Sequence, residues 1–261
     1  MAGPRNTMTS TLVGVAGLVA LLIFIVVEGT IDPAAFVNFP AIVIVVGGSF
    51  VALLISFRTS EVARAWRSAM AVFREVRGLD QEIATVVAFV TARQRGDIRG
   101  AETLVEGTRD PFLRLGLQLV LDDTPLADIQ HVLAWRIQKL TEIEMSQARI
   151  FRSLSDFAPA LGLLGTIIGL IGLLDGLGTQ PIDVIGKHMS IAFTTTLYGV
   201  LLANLLFRPM AIKLEQRIQV RVQKMNVLVE GIALARLGRG PIMLRETMAG
   251  FAAEIDEDDN G

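Results

Sequence analysis

Residues 157–174 read FAPALGLLGTIIGLIGLL, a run with no charged side chain, set between Asp156 and Asp175. As a helix it is long enough to cross the hydrocarbon core of a bilayer. Glycines fall at Gly162, Gly165, Gly169 and Gly172, with Gly176 just beyond. Steps of three and four residues keep them on one helical face. In water each would cost about 1 kcal/mol of helix stability relative to alanine. In lipid such a stripe lets a second helix approach backbone to backbone. The stretch therefore reads as a membrane helix with one smooth packing face. That face is also suited to border a pathway, or to let a helix move past it.

Composition supports a membrane protein. Of 261 residues, 52% are hydrophobic, and the mean hydropathy is +0.54, too apolar for an ordinary soluble domain. A net charge of −2 argues against nucleic-acid binding. The absence of cysteine excludes disulfides, thiolate metal sites and cysteine nucleophiles. His131 and His188 are the only histidines, too few for a histidine zinc site, and neither a P-loop nor a nucleophile elbow occurs. No enzymatic chemistry and no cofactor is expected.

Three more uncharged runs, at 8–27, 36–57 and 189–207, bring the expected number of spans to four. The first is read as a retained anchor, because only Arg5 precedes it and no small-residue cleavage site follows before Glu28. Lysine and arginine set the orientation. Five lie in 58–77, three in 137–156 and five in 208–227, against none in 28–35 and only Lys187 in 175–188. That asymmetry places the long loop and both termini in the cytoplasm.

The expected organisation has four parts. Residues 1–57 form a transmembrane hairpin, 58–156 a helical cytoplasmic domain, 157–210 the third and fourth spans, and 211–261 a C-terminal amphipathic helix with an acidic disordered tail at 254–259. In the loop, Ser60 can cap a helix bearing Ala63, Trp66, Met70 and Phe73 on one face. A second helix is read at 81–93. Gly96 and Gly100 then punctuate a charged patch that includes Arg93, Arg95, Arg99, Glu102 and Glu106. Pro111 opens a short helix to Leu121, and Thr124-Pro125 starts a long one through Ile129, Leu133, Ile137 and Leu140. No strand-like alternation is present, so the fold class is all-α. After Arg208-Pro209, a basic stripe of Lys213, Arg217 and Arg221 lies opposite Leu214, Ile218 and Met225, as suits a juxtamembrane helix near lipid headgroups. Asp32, before Pro33, is either a helix cap or an acidic group gathering cations at the outer mouth.

The spans hold no Asp, Glu, Lys, Arg or His, although ion and proton pathways usually require them. They hold hydroxyl and amide groups instead: Thr166 in the third, and Ser190, Thr194, Thr195, Thr196, Tyr198 and Asn204 in the fourth. Membrane threonines commonly bond their own backbone. Three in succession direct at least one toward another helix, where its oxygen can ligate a hard cation or its water. If this chain moves ions, the titrating carboxylate comes from a partner helix beside Thr166 and Thr195/Thr196.

These residues carry a family resemblance. Asp32-Pro33-Ala34-Ala35-Phe36, Gly47-Gly48-Ser49, Asp110-Pro111-Phe112-Leu113-Arg114, Ala158-Pro159-Ala160-Leu161-Gly162 with Gly165-Thr166, and Thr195-Thr196-Leu197-Tyr198-Gly199 with Ala203-Asn204 occur in order over nearly the whole chain. The series resembles the MotA/PomA flagellar motor stator family of the MotA/TolQ/ExbB superfamily. The resemblance implies a pentamer around a dimeric MotB/PomB-type partner whose single span supplies the aspartate, in the bacterial inner membrane. Passage of Na+ or H+ would turn the pentamer, whose cytoplasmic rim would push the rotor protein FliG. By position, Pro159 and Pro209 match residues tied to torque coupling, and Thr166, Thr195 and Thr196 match the ion path, where the threonine pair resembles sodium-driven members. Arg93, in Arg-x-x-Gly96, matches a rotor-contact residue. The family's acidic residue five positions after that glycine is here Ala101, with Glu102 next.

A TolQ/ExbB-type energiser is the nearest alternative, but those proteins have one span before the large loop, where this chain has a hairpin. A self-contained transporter or membrane scaffold is the remaining alternative. The acid-free spans separate that class by experiment. The purified chain alone, reconstituted in vesicles, is expected to carry almost no ion current; substantial flux without a partner would favour the self-contained transporter.

Overall fold

The computed structural model describes positions 14, 16, 17 and 20, residues 36–71 and residues 79–258. The expected first span, Asp32 and Phe73 fall outside or almost wholly outside these residues. Every regular element among the described residues is helical. Helices α1 (Phe39–Ile42) and α2 (Gly48–Ser56) are joined by a π turn at Val43–Gly47. Then follow α3 (Thr59–Ala71), α4 (Asp80–Gln94), α5 (Ile98–Gly107), α6 (Pro111–Leu121) and α7 (Leu126–Gly176). Helix α8 (Ile182–Leu201) passes through a second π turn, Leu202–Phe207, into α9 (Arg208–Arg236), and α10 (Pro241–Asp258) is the last element among the described residues. Among the described residues, three helical stretches are long and apolar enough to cross a membrane: Phe39–Ser56, Leu126–Gly176 and Ile182–Arg236.

The chain forms two compact units. The first takes in Met1–Phe73 and Ser146–Glu215, the second Arg74–Met145 and Gln216–Gly261. Helices α7 and α9 each contribute to both. The units thus interleave along the sequence and do not follow its order of loop, spans and tail.

The first unit is built from the apolar runs. Val45, Leu53, Ile150, Phe151, Leu154, Ala158, Ala203, Phe207, Ala211 and Leu214 form its buried cluster. Here α3 turns differently from its expected face. Val62, Ala65 and Ala69 are buried, whereas Ala63 is exposed, Trp66 is 42% exposed and Met70 72%. Small side chains let α3 lie close to its neighbours, and Trp66 instead meets Phe151 edge to face, with ring centroids 5.6 Å apart.

The second unit is an ordinary helical core. Phe89, Leu113, Leu117, Ile129, Leu133, Ile232, Leu244 and Met248 are fully buried in it. Its helix starts follow local chemistry. Asp110 Oδ1 accepts from the Phe112 and Leu113 amides, both at 2.8 Å, with Pro111 at the first helical position. Asp97 caps α5 through the Gly100 amide at 2.9 Å. Gly96 turns the chain into α5 at φ +74°, in the left-handed region that glycine enters freely. The glycine-punctuated patch therefore contains a full helix that charge and glycine content obscured.

The acidic tail also differs from expectation. It is helical to Asp258, as the end of α10. Ile255 is buried in the second unit's core with Leu244 and Met248, and this apolar contact holds the acidic segment in place. Ile255→Asp should release it, because burying an unpaired carboxylate costs several kcal/mol. Faster protease cleavage within 241–258, with the remainder of the chain resistant, is the expected outcome; unchanged cleavage would show that Ile255 does not anchor the tail.

Candidate functional site: the glycine contact between α7 and α8

The glycine stripe of α7 is occupied by the chain's own α8. A Cβ placed on Gly162 would lie 2.9 Å from the Thr195 carbonyl oxygen and 3.4 Å from Gly199 Cα. One on Gly165 would meet Thr195 Cγ2 at 2.5 Å, and one on Gly169 the His188 carbonyl oxygen at 2.7 Å. From the other side, a Cβ on Gly199 would sit 2.6 Å from the Ala158 carbonyl oxygen. The two backbones therefore touch along three turns, as small-residue membrane interfaces allow. The stripe is thus the packing face that its glycine spacing suggested, and its occupant is α8.

That contact sorts the three threonines. Thr195 is fully buried against Gly165, and its hydroxyl donates to the Ile191 and Ala192 carbonyls at 2.9 and 3.0 Å. It bonds its own helix, the common behaviour of a membrane threonine. Thr166 and Thr196 lie at the margin of the interface. The Thr166 hydroxyl reaches the Gly162 carbonyl of its own helix at 3.1 Å and the Ala192 carbonyl of α8 at 3.0 Å. It also hydrogen-bonds the hydroxyl of Thr196. Thr166 is half-buried and Thr196 exposed. The structure brings two hydroxyls and the Ala192 carbonyl together at one spot on the surface of the helix pair. It sets Thr195 behind them.

Helix α1 and the residues just before it are clasped to α8 by polar groups. Tyr198 donates its hydroxyl to the Phe36 carbonyl and accepts from the Asn38 amide at 3.0 Å. Asn38 caps α1 through the Ala41 amide at 3.1 Å, while its side-chain nitrogen reaches Ser190 Oγ at 3.3 Å. Sequence reasoning passed over Asn38, although an asparagine two residues before Pro40 is a recognisable cap.

Pro159 lies inside α7 and lines a cavity of about 560 Å³ with Arg152, Ser155, Asp156, Asn204 and Arg208. Pro209 is the second residue of α9. With no N–H to offer the carbonyl four residues earlier, Pro209 breaks the α-helical ladder at Leu205, inside the π turn Leu202–Phe207.

The two loop residues belong to the second unit. Arg93 Nη2 lies 3.3 Å from Asp123 Oδ1, and Arg236 Nη2 lies 3.2 Å from the same atom. Arg236 also donates to the carbonyls of Thr124 at 2.7 Å and Asp123 at 3.1 Å. Asp123 has φ 58°, so two arginines grip a turn in an uncommon conformation. Glu102 is exposed, and Ala101 is fully buried. An acid at 101 would enter the core, so the exposed position on α5 is 102. Among the described residues, no three His, Asp or Glu side chains gather as metal ligands.

The glycine contact yields a direct test. Gly199→Val should prevent the approach of α7 and α8 and cost about 1–3 kcal/mol or more from overpacking. Gly186→Ala, which meets open space, should be neutral. Thermal stability in detergent checks both; a stable Gly199→Val protein would refute the contact.

Residues 105–227 match the model of the MotA/TolQ/ExbB proton channel family. The uncharacterized protein YtxD of Bacillus subtilis is 31% identical over 220 residues, covering 84% of this chain and 80% of that one. Motility protein A of the same organism is 27% identical over 242 residues, covering 92% and 88%. The solved flagellar MotAB stator complex from Bacillus subtilis contains a chain that superposes with a TM-score of 0.78 at 27% identity, covering 90% of this chain and 92% of that one. With a 31% identical relative aligned over four-fifths of its length and the family model matching through both helices of the glycine contact, the chain is a member of the MotA/TolQ/ExbB proton channel family.

Proposed function

We propose that this chain is a flagellar motor stator subunit. With a MotB/PomB-type partner it forms a channel that converts an ion-motive force into torque on the rotor. The observation that carries the reading is the pairing of the Thr166 and Thr196 hydroxyls beside the Ala192 carbonyl, on helices whose membrane spans contain no acid. The two hydroxyl oxygens suit a hard cation or its water, but a hydroxyl cannot titrate near neutral pH. The carboxylate is supplied by the partner's span, lying against the Thr166/Thr196 margin. Similarity to motility protein A and to a MotAB stator complex across about nine-tenths of the chain supports the same reading.

In this reading residues 1–57 form a hairpin, so four spans cross the inner membrane with both termini in the cytoplasm. Residues 58–156 form the cytoplasmic domain, and 211–261 a C-terminal segment on the same side. Five copies surround two partner helices. Pro159 and Pro209 lie where the α-helical ladder is interrupted, and couple ion passage to rotation. Arg93 and Glu102 contribute to the contact with FliG, with Arg93 also holding the Asp123 turn. Asp32 sits at the outer mouth. The ion is Na+, on the strength of the hydroxyl pair, although the family is described by proton conduction.

Co-expression with a MotB-like chain should give a complex, and deletion of the gene should stop swimming; no complex together with intact swimming would overturn the stator reading. Swimming speed should rise with external sodium at fixed pH, and independence from sodium would assign the proton instead. Within the site, Thr196→Ala and Thr166→Ala should lower ion flux by roughly tenfold, about 1.4 kcal/mol of lost coordination, with assembly preserved. Thr195→Ala should lower stability more than flux. The reverse ranking, or equal loss of assembly in all three, would return the hydroxyl pair to a packing role.

A further inference from the structure

The cavity beside Pro159 is lined by Arg152, Ser155, Asp156, Asn204 and Arg208 together with small and apolar groups from α7, the second π turn and α9. At about 560 Å³ it has room for several waters. Its oxygens are of the kind that receive hard cations. Pro159 has no N–H, so the Ser155 carbonyl lacks its α-helical donor. The Asn204 amide nitrogen donates to the Val200 carbonyl at 3.0 Å, which leaves its Oδ1 as an acceptor. Asp156 is exposed and has no ion-pair partner among the described residues.

The charges divide unequally. Arg152 is paired with Glu215 at 3.0 Å. Arg208 is the other cation at the cavity, and no ion pair is formed between it and Asp156 within 4.0 Å. Conduction requires that an ion be drawn in and then let go. A carboxylate with two neutral oxygens attracts it, and a guanidinium sharing the cavity shortens its stay.

We infer that this cavity is an inner vestibule for the transported monovalent cation, with Asp156 as the first acidic group the ion meets after leaving the membrane path. The Ser155 carbonyl and Asn204 Oδ1 supply further oxygens. This rests on the stator reading for the direction of flow, and assigns that path an acid from this chain itself. It also gives Pro159 a specific local role, which is to keep the Ser155 carbonyl available to the ion or its water.

The absence of cysteine makes a direct test possible. Ser155→Cys, in the full chain assembled with a cysteine-free partner, is a single reporter thiol, and it retains the backbone carbonyl. Its modification by a trimethylammonium methanethiosulfonate is compared with that by a sulfonate methanethiosulfonate. The cationic reagent should react about tenfold faster, through local field focusing, and Asp156→Asn should bring the two rates together. Faster reaction of the anionic reagent would overturn the inference in favour of an Arg208-centred anion site, such as one for a lipid phosphate. No reaction with either reagent would overturn it by showing that the cavity is closed to water. In parallel, ion flux of the complex in vesicles should fall severalfold with Asp156→Asn and be largely kept with Asp156→Glu; equal loss in both would also refute it. If the unmodified complex carries no ions, the stator reading fails, whatever the labelling ratio. If it carries ions but labelling shows no cationic preference, only the vestibule fails.

Discussion

Two backbones pressed together in a medium without water are the constraint from which the rest of the first unit follows. In lipid no hydrophobic effect drives helices together, so α7 and α8 depend on close van der Waals contact, which only missing side chains allow. Gly162, Gly165 and Gly169 on one helix, and Gly199 and Ala192 on the other, provide it. Because the helices approach so closely, Thr166 reaches across to the Ala192 carbonyl and to Thr196. The hydroxyl pair is a consequence of the glycine contact. A single added Cβ at Gly162 would meet the backbone and separate its members.

The prolines interrupt this regularity in useful places. Inside a membrane helix an unpaired carbonyl is tolerated only where protein or water satisfies it. Pro159 withdraws a donor from Ser155 beside a cavity with room for water. Pro209 withdraws one from Leu205 within the π turn Leu202–Phe207, a wider turn that rearranges the ladder. Irregular backbone and polar lining therefore coincide. The opposite end of the same unit is treated differently, by the Tyr198–Phe36–Asn38 clasp, which satisfies polar groups and ties α1 to α8.

The second unit works on the principles of a water-soluble helical domain. Its helices are capped by Asp97 and Asp110, its core is filled by leucine, isoleucine and phenylalanine, and its charged groups pair at the surface. Arg93 illustrates how a residue can serve structure and contact together. It shares Asp123 with Arg236 and so stabilises the turn before α7, yet about a third of its side chain remains exposed. Glu102 has no such internal duty.

Much of this was legible in the residues. The all-helical class, three of the spans, the helix opened by Pro111 and the buried positions Ile129, Leu133, Leu214, Ile218 and Met225 follow from periodicity, capping and apolar run length. These are local properties, and a helix buries its own stripe wherever it packs. The glycine stripe and the cluster of hydroxyls were equally visible. Which of their atoms meet was not. Only the tertiary structure decided which backbone atoms meet across the glycine stripe, that Thr195 is sealed while Thr196 is open, and that α3 buries Val62, Ala65 and Ala69 in place of Trp66. It also decided that the acidic tail folds onto a core through Ile255 and that a cavity opens beside Pro159. Each outcome depends on groups brought together from distant parts of the chain. Helical periodicity defines a face, whereas the occupant of that face depends on which other surface complements it.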